Sequence, residues 1–175
     1  MPLKLDDKKR IVAEVAEVAS TAYSAVIAEY RGMTVEEMTE LRVKAREAGV
    51  YIRVVRNTLA RRAVQDTEFA CLQDVLVGPL VLAFSQSDPG AAARVIRDFT
   101  KENKTLVVKN LAISGQLLEA SELDTLAKMP TYDEAISMLM SVMKAPITKL
   151  VRTIQEPHAK MVRTFAAVRD AKESA

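Results

Sequence analysis

One change in the spacing of apolar residues decides which folds are open to this chain. Up to Gly115, strand-like segments alternate with segments whose apolar residues recur every three or four positions, and beyond it only the helical spacing remains. The strand-like segments are residues 23–30, 50–54, 79–84 and 105–113. We therefore predict an α/β fold. An α/β domain with a sheet of about four strands flanked by helices occupies residues 1–130, and a helical C-terminal extension ending in a long helix occupies residues 131–175.

Capping residues predict where several helices begin. A Thr followed three residues later by Glu can form a capping box, and such pairs lie at residues 34–37 and 131–134. The second box predicts a helix that ends near Lys144, after which Pro146 opens the last segment. Asn57 is predicted to cap a short helix.

A short block repeats within the last segment, where residues 149–154 (KLVRTI) return as residues 160–165 (KMVRTF). In an α-helix an offset of eleven residues is about three turns and about 16 Å, so equivalent side chains point the same way. Pro157 lies between the copies and predicts a kink or a break. The predicted protein-binding stripe comprises Ile147, Leu150, Val151, Ile154, Met161, Val162, Phe165 and Val168.

Two interpretations of this stripe are open. It can pack on the chain's own core, as most amphipathic stripes do, or it can bind a partner outside the chain. A single hydrophobic core rarely requires two copies of the same apolar helix face. The repetition therefore favours an external partner that binds in several copies.

Basic side chains cluster in one stretch, although the net charge of the chain is only +2. Residues 53–62 hold four arginines and no acidic residue, and they span a strand end, a turn and a helix start. Guanidinium groups beside free backbone donors suit phosphate, which predicts contact with RNA backbone. The alternative is an ordinary solvated basic face. The predicted RNA-binding residues are Lys8, Lys9, Arg31, Arg53, Arg56, Asn57, Thr58, Arg61 and Arg62.

Residue types that carry catalysis are scarce. One cysteine, Cys71, cannot form an internal disulfide, and with one histidine, His158, it cannot build a Cys/His zinc site. The sequence has no glycine-rich phosphate loop. We expect no catalytic residues, no metal and no cofactor, and we predict that the protein is not an enzyme. The longest apolar stretch, residues 75–84, is too short to cross a bilayer, so we expect a cytosolic protein without a membrane partner.

Seven stretches along the whole chain together resemble one known family. They are YRGMT (30–34), MTELR (38–42), GVYIRVVRNTL (49–59), VGP (77–79), PGAAAR (89–94), PTYDEA (130–135) and VRTFAAVRD (162–170). The family is that of the tenth protein of the bacterial large ribosomal subunit, which forms the base of the ribosomal stalk.

The resemblance implies a function for each of the two regions. The N-terminal domain would bind large-subunit rRNA next to the eleventh protein of that subunit. The C-terminal helix would carry consecutive dimers of the acidic seven/twelve stalk protein, which recruit translational GTPases. The resemblance also implies a location in the large ribosomal subunit in the cytoplasm, no enzymatic activity and no homo-oligomer. In some members the complex with the stalk protein represses its own messenger.

Two rival functions belong to other classes. The first is an α/β adaptor or regulatory module that binds proteins and no nucleic acid, with the basic stretch merely solvated. The second is a small enzyme with carboxylates in a cleft that the sequence does not reveal.

Overall fold

The computed structural model describes residues 4–103 and 105–173, and the chain divides into two units after Thr131. We call the first the α/β unit. Its strands are β1 (Ser24–Glu29), β2 (Val50–Val54), β3 (Leu80–Ser85), β4 (Val107–Ile113) and β5 (Gln116–Glu119). Its α-helices are α1 (Leu5–Thr21), α2 (Val35–Glu47), α3 (Asn57–Val64), α4 (Ala91–Glu102) and α5 (Leu123–Ala127), with 3-10 helices at Glu68–Leu72 and Ala120–Glu122. The second unit is the helix α6 (Tyr132–Glu173).

The strands form one antiparallel sheet in the order β2-β3-β1-β4-β5. The predicted α/β class is confirmed, but the sheet has one strand more than the four predicted. The additional strand, β5, forms a hairpin with β4 through Ser114 and Gly115. Both turn residues have positive φ, 46° and 80°, as a two-residue hairpin turn requires. The short strand was missed because its four residues carry no clear apolar alternation.

The first helix, α1, was not predicted. Its charged start obscured an apolar spacing that includes Ile11, Val15 and Ala19, of which Val15 and Ala19 are buried. These residues pack in one hydrophobic cluster with Leu59 and Ala63 of α3. The sheet therefore has a helical layer on this face as well as on the other.

Alternate residues of the central strands supply two cores, one on each face of the sheet. In β3, Leu82 and Phe84 belong to the cluster with α1 and α3, whereas Val81 and Ala83 belong to the cluster with α2 and α4. All four are nearly inaccessible to solvent. Because both faces are covered, β3 reads in the sequence as a continuous apolar run.

The predicted capping box of α2 is confirmed. The Thr34 hydroxyl accepts from the Glu37 backbone nitrogen at 3.3 Å, and the Glu37 carboxylate accepts from the Thr34 backbone nitrogen at 2.8 Å. The cap fixes where the chain leaves β1 and enters α2.

The predicted break in the C-terminal region is wrong, because α6 is helical through both Pro146 and Pro157. A proline in a helix lacks one backbone donor and crowds the preceding turn. Each proline here removes one hydrogen bond from a helix 42 residues long, and flanking residues such as Lys149, Leu150 and Lys160 are good helix formers. The helix therefore neither ends near Lys144 nor begins again after Pro146.

Candidate nucleic-acid interface and docking helix

The arginine-rich stretch contributes to an open cleft at one end of the sheet. The register places Glu29 of β1 opposite Leu80 of β3, and Val54 of β2 opposite Val81, so β1 and β2 end beside the start of β3. We call this opening, of about 650 Å³, the sheet-end cleft. It is lined by Tyr30, Val54, Val55, Arg56, Asn57, Thr58, Gly78, Pro79 and Leu80.

Three of the predicted RNA-binding residues line the sheet-end cleft. Arg56 and Thr58 are exposed, and Asn57 is half-buried. The Asn57 side-chain amide donates to the Gly78 carbonyl at 3.0 Å. Asn57 begins α3, and Arg56 occupies the cap position, so the prediction that Asn57 caps this helix is wrong. Its side chain instead joins the start of α3 to the turn that precedes β3.

The half-buried Arg53 is engaged within the fold. Its guanidinium pairs with the Glu14 carboxylate and donates to the Tyr51 hydroxyl at 2.9 Å, and that hydroxyl donates to Glu14 Oε1 at 2.8 Å. The hydrogen bond from Arg53, with the one from Tyr51, lowers the pKa of Glu14. Burial is the main cause that raises the pKa of Tyr51. Arg53 is thus held in place between two elements, and part of its charge is compensated.

Arg61 also has partners inside the fold. Its Nε donates to the Gln73 carbonyl at 3.1 Å and its terminal nitrogen to the Leu76 carbonyl at 2.8 Å. These bonds satisfy carbonyl groups of the loop that leads into β3. The sequence pattern did not distinguish Arg61, which binds two carbonyl groups of this loop, from the other arginines of the stretch.

Of the remaining predicted cations, three are exposed and Lys8 is half-buried. Arg31 follows Tyr30 of the sheet-end cleft, and Arg62 lies on α3. Lys8 and Lys9 lie in the second turn of α1. Within residues 4–103 and 105–173, none of these side chains has an ion-pair partner.

The structure reveals a second basic groove that the sequence analysis missed. It measures about 430 Å³ and runs beside β2, which is an edge strand of the sheet. Arg42 and Arg46 of α2 line it with Arg53 and Glu14. The signal in the sequence was two arginines four residues apart, which share one face of a helix. Only the packing of α2 beside β2 places them next to Arg53.

The eight residues of the predicted stripe are all exposed on α6. Their side chains range from 54% exposed at Val168 to 70% at Phe165. The described part of α6 contains no buried residue. An exposed row of large apolar residues of this length is typical of a protein-binding surface.

No group of His, Cys, Asp and Glu residues suited to a metal ion occurs in the part of the chain that the structure describes. In the same residues, no helix is long and apolar enough to span a membrane.

Comparisons with known proteins agree with the resemblance seen in the sequence. The model of the family "Ribosomal protein L10" matches residues 3–101, and that of "Ribosomal protein uL10 C-terminal region" matches residues 129–175. A relative from Thioalkalivibrio sulfidiphilus is 64% identical over 174 residues, 99% of both chains. A relative from Alcanivorax borkumensis is 63% identical over 175 residues, 100% of this chain and 99% of the relative.

A third relative, from Halorhodospira halophila, is 59% identical over the full length of both chains. All three relatives are named large ribosomal subunit protein uL10. The family consists of structural ribosomal proteins and is not known for enzymes, which confirms the prediction that this protein is not one. The chain belongs to the ribosomal protein L10 family of the large ribosomal subunit.

Proposed function

We propose that this protein forms the base of the stalk of the large ribosomal subunit. As a member of its family it is a structural protein of that subunit and works in the ribosome in the cytoplasm. Its α/β unit binds large-subunit rRNA, and α6 anchors several dimers of the acidic seven/twelve stalk protein. The observation that carries the proposal is the repeated apolar stripe, exposed along a helix 42 residues long.

The stripe offers enough apolar surface to hold partners. Burying a side chain such as Leu150 or Phe165 contributes roughly 1.5–3 kcal/mol. Association costs on the order of 4–15 kcal/mol in lost freedom, so several such side chains are needed for each partner. Each copy of the repeat supplies three of them. The two copies therefore support at least two separate docking sites.

The α/β unit offers cations for rRNA at the sheet-end cleft and beside it. Arg31 and Arg56 are exposed without a carboxylate partner among the described residues, and guanidinium groups of this kind pair well with phosphate. Thr58 and Asn57 place hydrogen-bonding side chains in the same cleft. Further candidates for phosphate contact are Lys8, Lys9 and Arg62. Arg53 and Arg61 bind groups of the α/β unit itself and so hold the basic stretch in place.

The family resemblance implies further partners. We propose that the α/β unit lies next to the eleventh protein of the large subunit and that the bound stalk dimers recruit translational GTPases. Repression of the protein's own messenger by its complex with the stalk protein would use the same RNA-binding surface.

Native mass spectrometry of the protein with the acidic stalk dimer tests the docking role. Leu150→Asp should release one dimer, because a carboxylate replaces an apolar anchor at the interface. Ser141→Asp is the matched control, since Ser141 is exposed and lies about half a turn away from Leu150 on the same helix. An unchanged dimer count for Leu150→Asp would refute the proposal.

Sedimentation of a cell lysate separates this function from its rivals. The proposed protein should sediment with the large subunit at low salt and dissociate from it at high salt. Binding to phosphates releases counterions from the RNA, and this release favours binding less as the salt concentration rises. An adaptor that binds only proteins, or a small enzyme, would remain at the top of the gradient in both conditions.

A further inference from the structure

The second basic groove, which Arg42, Arg46, Arg53 and Glu14 help to line, follows an open edge of the sheet. In the described part of the chain β2 pairs with one strand only, β3. Every second residue of an edge strand directs its backbone N–H and C=O groups away from the sheet, where another strand can bind them. β2 contains neither proline nor lysine, which commonly protect such an edge. The edge of β2 can therefore accept an extended chain.

The second basic groove reaches both faces of the sheet at this edge. On one face Ile52 packs against the hydrophobic cluster that includes α2, and on the other face Tyr51 packs against the cluster that includes α1. Arg42 and Arg46 of α2 line the groove on the first face. Because side chains of a strand alternate between the two faces, a strand added to β2 would direct every second side chain towards α2.

The α2 side of the groove is basic. Arg42 and Arg46 are exposed, and neither has an ion-pair partner among the described residues. Residues four apart share one face of a helix and lie about 6 Å apart along its axis. Alternate side chains of a strand are about 6.5 Å apart, which is nearly the same spacing. The two arginines can therefore each pair with one of two carboxylates that lie two residues apart on an added strand.

The α1 side of the groove has its charge compensated already. The Arg53 guanidinium pairs with the Glu14 carboxylate, and the Tyr51 hydroxyl donates to Glu14 Oε1 at 2.8 Å. A carboxylate of a bound chain on this side would meet the like charge of Glu14 and find Arg53 engaged. This side therefore favours uncharged side chains.

The backbone of β2 favours a peptide over RNA as the occupant. An edge strand presents carbonyl groups as well as N–H groups, and the backbone of an extended peptide binds both. Phosphate oxygens are acceptors only, so the outward carbonyl groups of β2 would oppose them. No residue that lines the sheet-end cleft also lines this groove, so the two surfaces can be tested separately.

We propose that the second basic groove binds an extended peptide segment that carries an acidic residue at every second position and adds to β2 as a further strand of the sheet. Its acidic side chains pair with Arg42 and Arg46, and the uncharged side chains between them face Glu14 and Arg53. This site goes beyond the stalk-base function, since it requires neither rRNA nor α6.

A fluorescently labelled synthetic peptide tests the site on the full-length protein. The probe alternates glutamate with threonine and is long enough to pair with all five residues of β2. The control peptide has the same composition with its glutamates in one block. Fluorescence anisotropy should show about tenfold tighter binding of the alternating peptide, because only alternation matches the spacing of the arginines. Absence of binding, or equal binding of the two peptides, would overturn the proposal.

Paired variants test the role of the two arginines. Arg42→Gln with Arg46→Gln should weaken binding of the alternating peptide on the order of tenfold, because two charge-assisted pairs are lost. Both positions are exposed and glutamine is a good helix former, so the fold is retained. Lys101→Gln with Lys128→Gln removes the same charge elsewhere and should change binding by less than about twofold. Equal losses for the two pairs would overturn the site.

Hydrogen exchange followed by NMR tests the backbone pairing. The β2 amides that do not bond to β3 should exchange more slowly when the peptide is bound. N-methylation of one alternate set of peptide amides should abolish binding, and methylation of the other set should preserve it, because only one edge of the peptide meets β2. Binding without protection of β2 would overturn the added strand. If oligouridylate displaces the peptide and its binding depends on Arg42 and Arg46, the groove belongs to RNA and the proposal fails.

Discussion

The α/β unit and α6 use the same kinds of apolar side chain in opposite ways. Phe84 in β3 is 1% exposed and packs edge-on against Phe69 with ring centroids 5.9 Å apart, whereas Phe165 in α6 is 70% exposed. The α/β unit covers both faces of its sheet with helices, and α6 has no buried residue among those described.

This contrast separates residues that stabilise the fold from residues that the proposed function assigns to partner binding. In the α/β unit apolar burial stabilises the chain itself, because each buried side chain is removed from water on folding. In α6 the same free energy becomes available only when a partner covers the stripe. Apolar composition alone therefore does not distinguish side chains that stabilise the fold from side chains that are available to bind a partner.

The contrast predicts that one phenylalanine is essential to the fold and another is not. Phe84→Ala should lower the free energy of unfolding by about 3–5 kcal/mol, because it leaves a cavity in a packed core. Phe165→Ala is the matched control and should change it by less than about 0.5 kcal/mol, since nothing packs around an exposed ring. Urea unfolding followed by tyrosine fluorescence measures both. Similar losses for the two variants would break the comparison.

The same contrast explains how much of the fold could be predicted from sequence. Strand β3 was predicted almost to the residue, because a short apolar run bounded by Pro79 has few other interpretations. Helix α1 was missed because its charged first turn masked its apolar spacing. The continuity of α6 was also missed. Prolines usually interrupt helices, and only the structure shows that Pro146 and Pro157 do not do so here.

The largest predicted effect on RNA binding concerns two cations, Arg31 and Arg56, that have no ion-pair partner among the residues the structure describes. Arg31→Glu combined with Arg56→Glu should weaken binding to a large-subunit rRNA fragment on the order of a hundredfold at 0.1 M salt, and should reduce the salt slope by about two. Filter binding across a salt series measures both quantities. Lys101→Glu with Lys128→Glu changes the net charge equally outside the sheet-end cleft. If both pairs behave alike, the effect reflects net charge and not the cleft.

The sequence located the basic stretch but could not assign roles within it. Arg56 and Arg61 look equivalent in sequence, yet Arg61 donates to two loop carbonyls and Arg56 lines the cleft. Hydrogen bonds between distant segments decide such roles, and sequence spacing does not encode them. Arg42 and Arg46 were missed for the same reason, because tertiary packing brings them beside Arg53.

A smaller effect is expected at the end of the α/β unit that leads to α6. Arg94 of α4 donates to the Ala127 and Met129 carbonyls, each at 3.2 Å, and pairs with Asp88 at 2.5 Å. Arg94→Ala should lower the free energy of unfolding by about 1.5–3 kcal/mol, because it removes charge-assisted hydrogen bonds and leaves the Asp88 carboxylate without its guanidinium partner.

Hydrogen exchange locates that loss within the chain. Amides of α5 should exchange faster in Arg94→Ala, while those of α6 keep their rates, because the hydrogen-bond partners of Arg94 among the described residues, Asp88, Ala127 and Met129, lie in the α/β unit. Lys101→Ala, a variant of an exposed cation on the same helix, should leave α5 unchanged. Faster exchange throughout α6 would show that the two units are less independent than the comparison states.

The smallest predicted effect is a pH dependence at Glu14, which Arg53 and Tyr51 hold ionised by hydrogen bonds. Because the pKa of Glu14 is lower in the folded chain than its value of about 4.3 in the unfolded one, its ionised form stabilises the fold at neutral pH. That contribution is lost as pH falls through the folded pKa.

Glu14→Gln should therefore be less stable than the unmodified protein at pH 7, by no more than about 1 kcal/mol because the pair is partly exposed. The difference should shrink as pH falls below about 4, where the unfolded carboxyl is already protonated. Urea unfolding at pH 7 and pH 3 measures it, with Glu173→Gln on α6 as the control. A gap of equal size at both pH values would mean that Glu14 acts through packing and not through its charge.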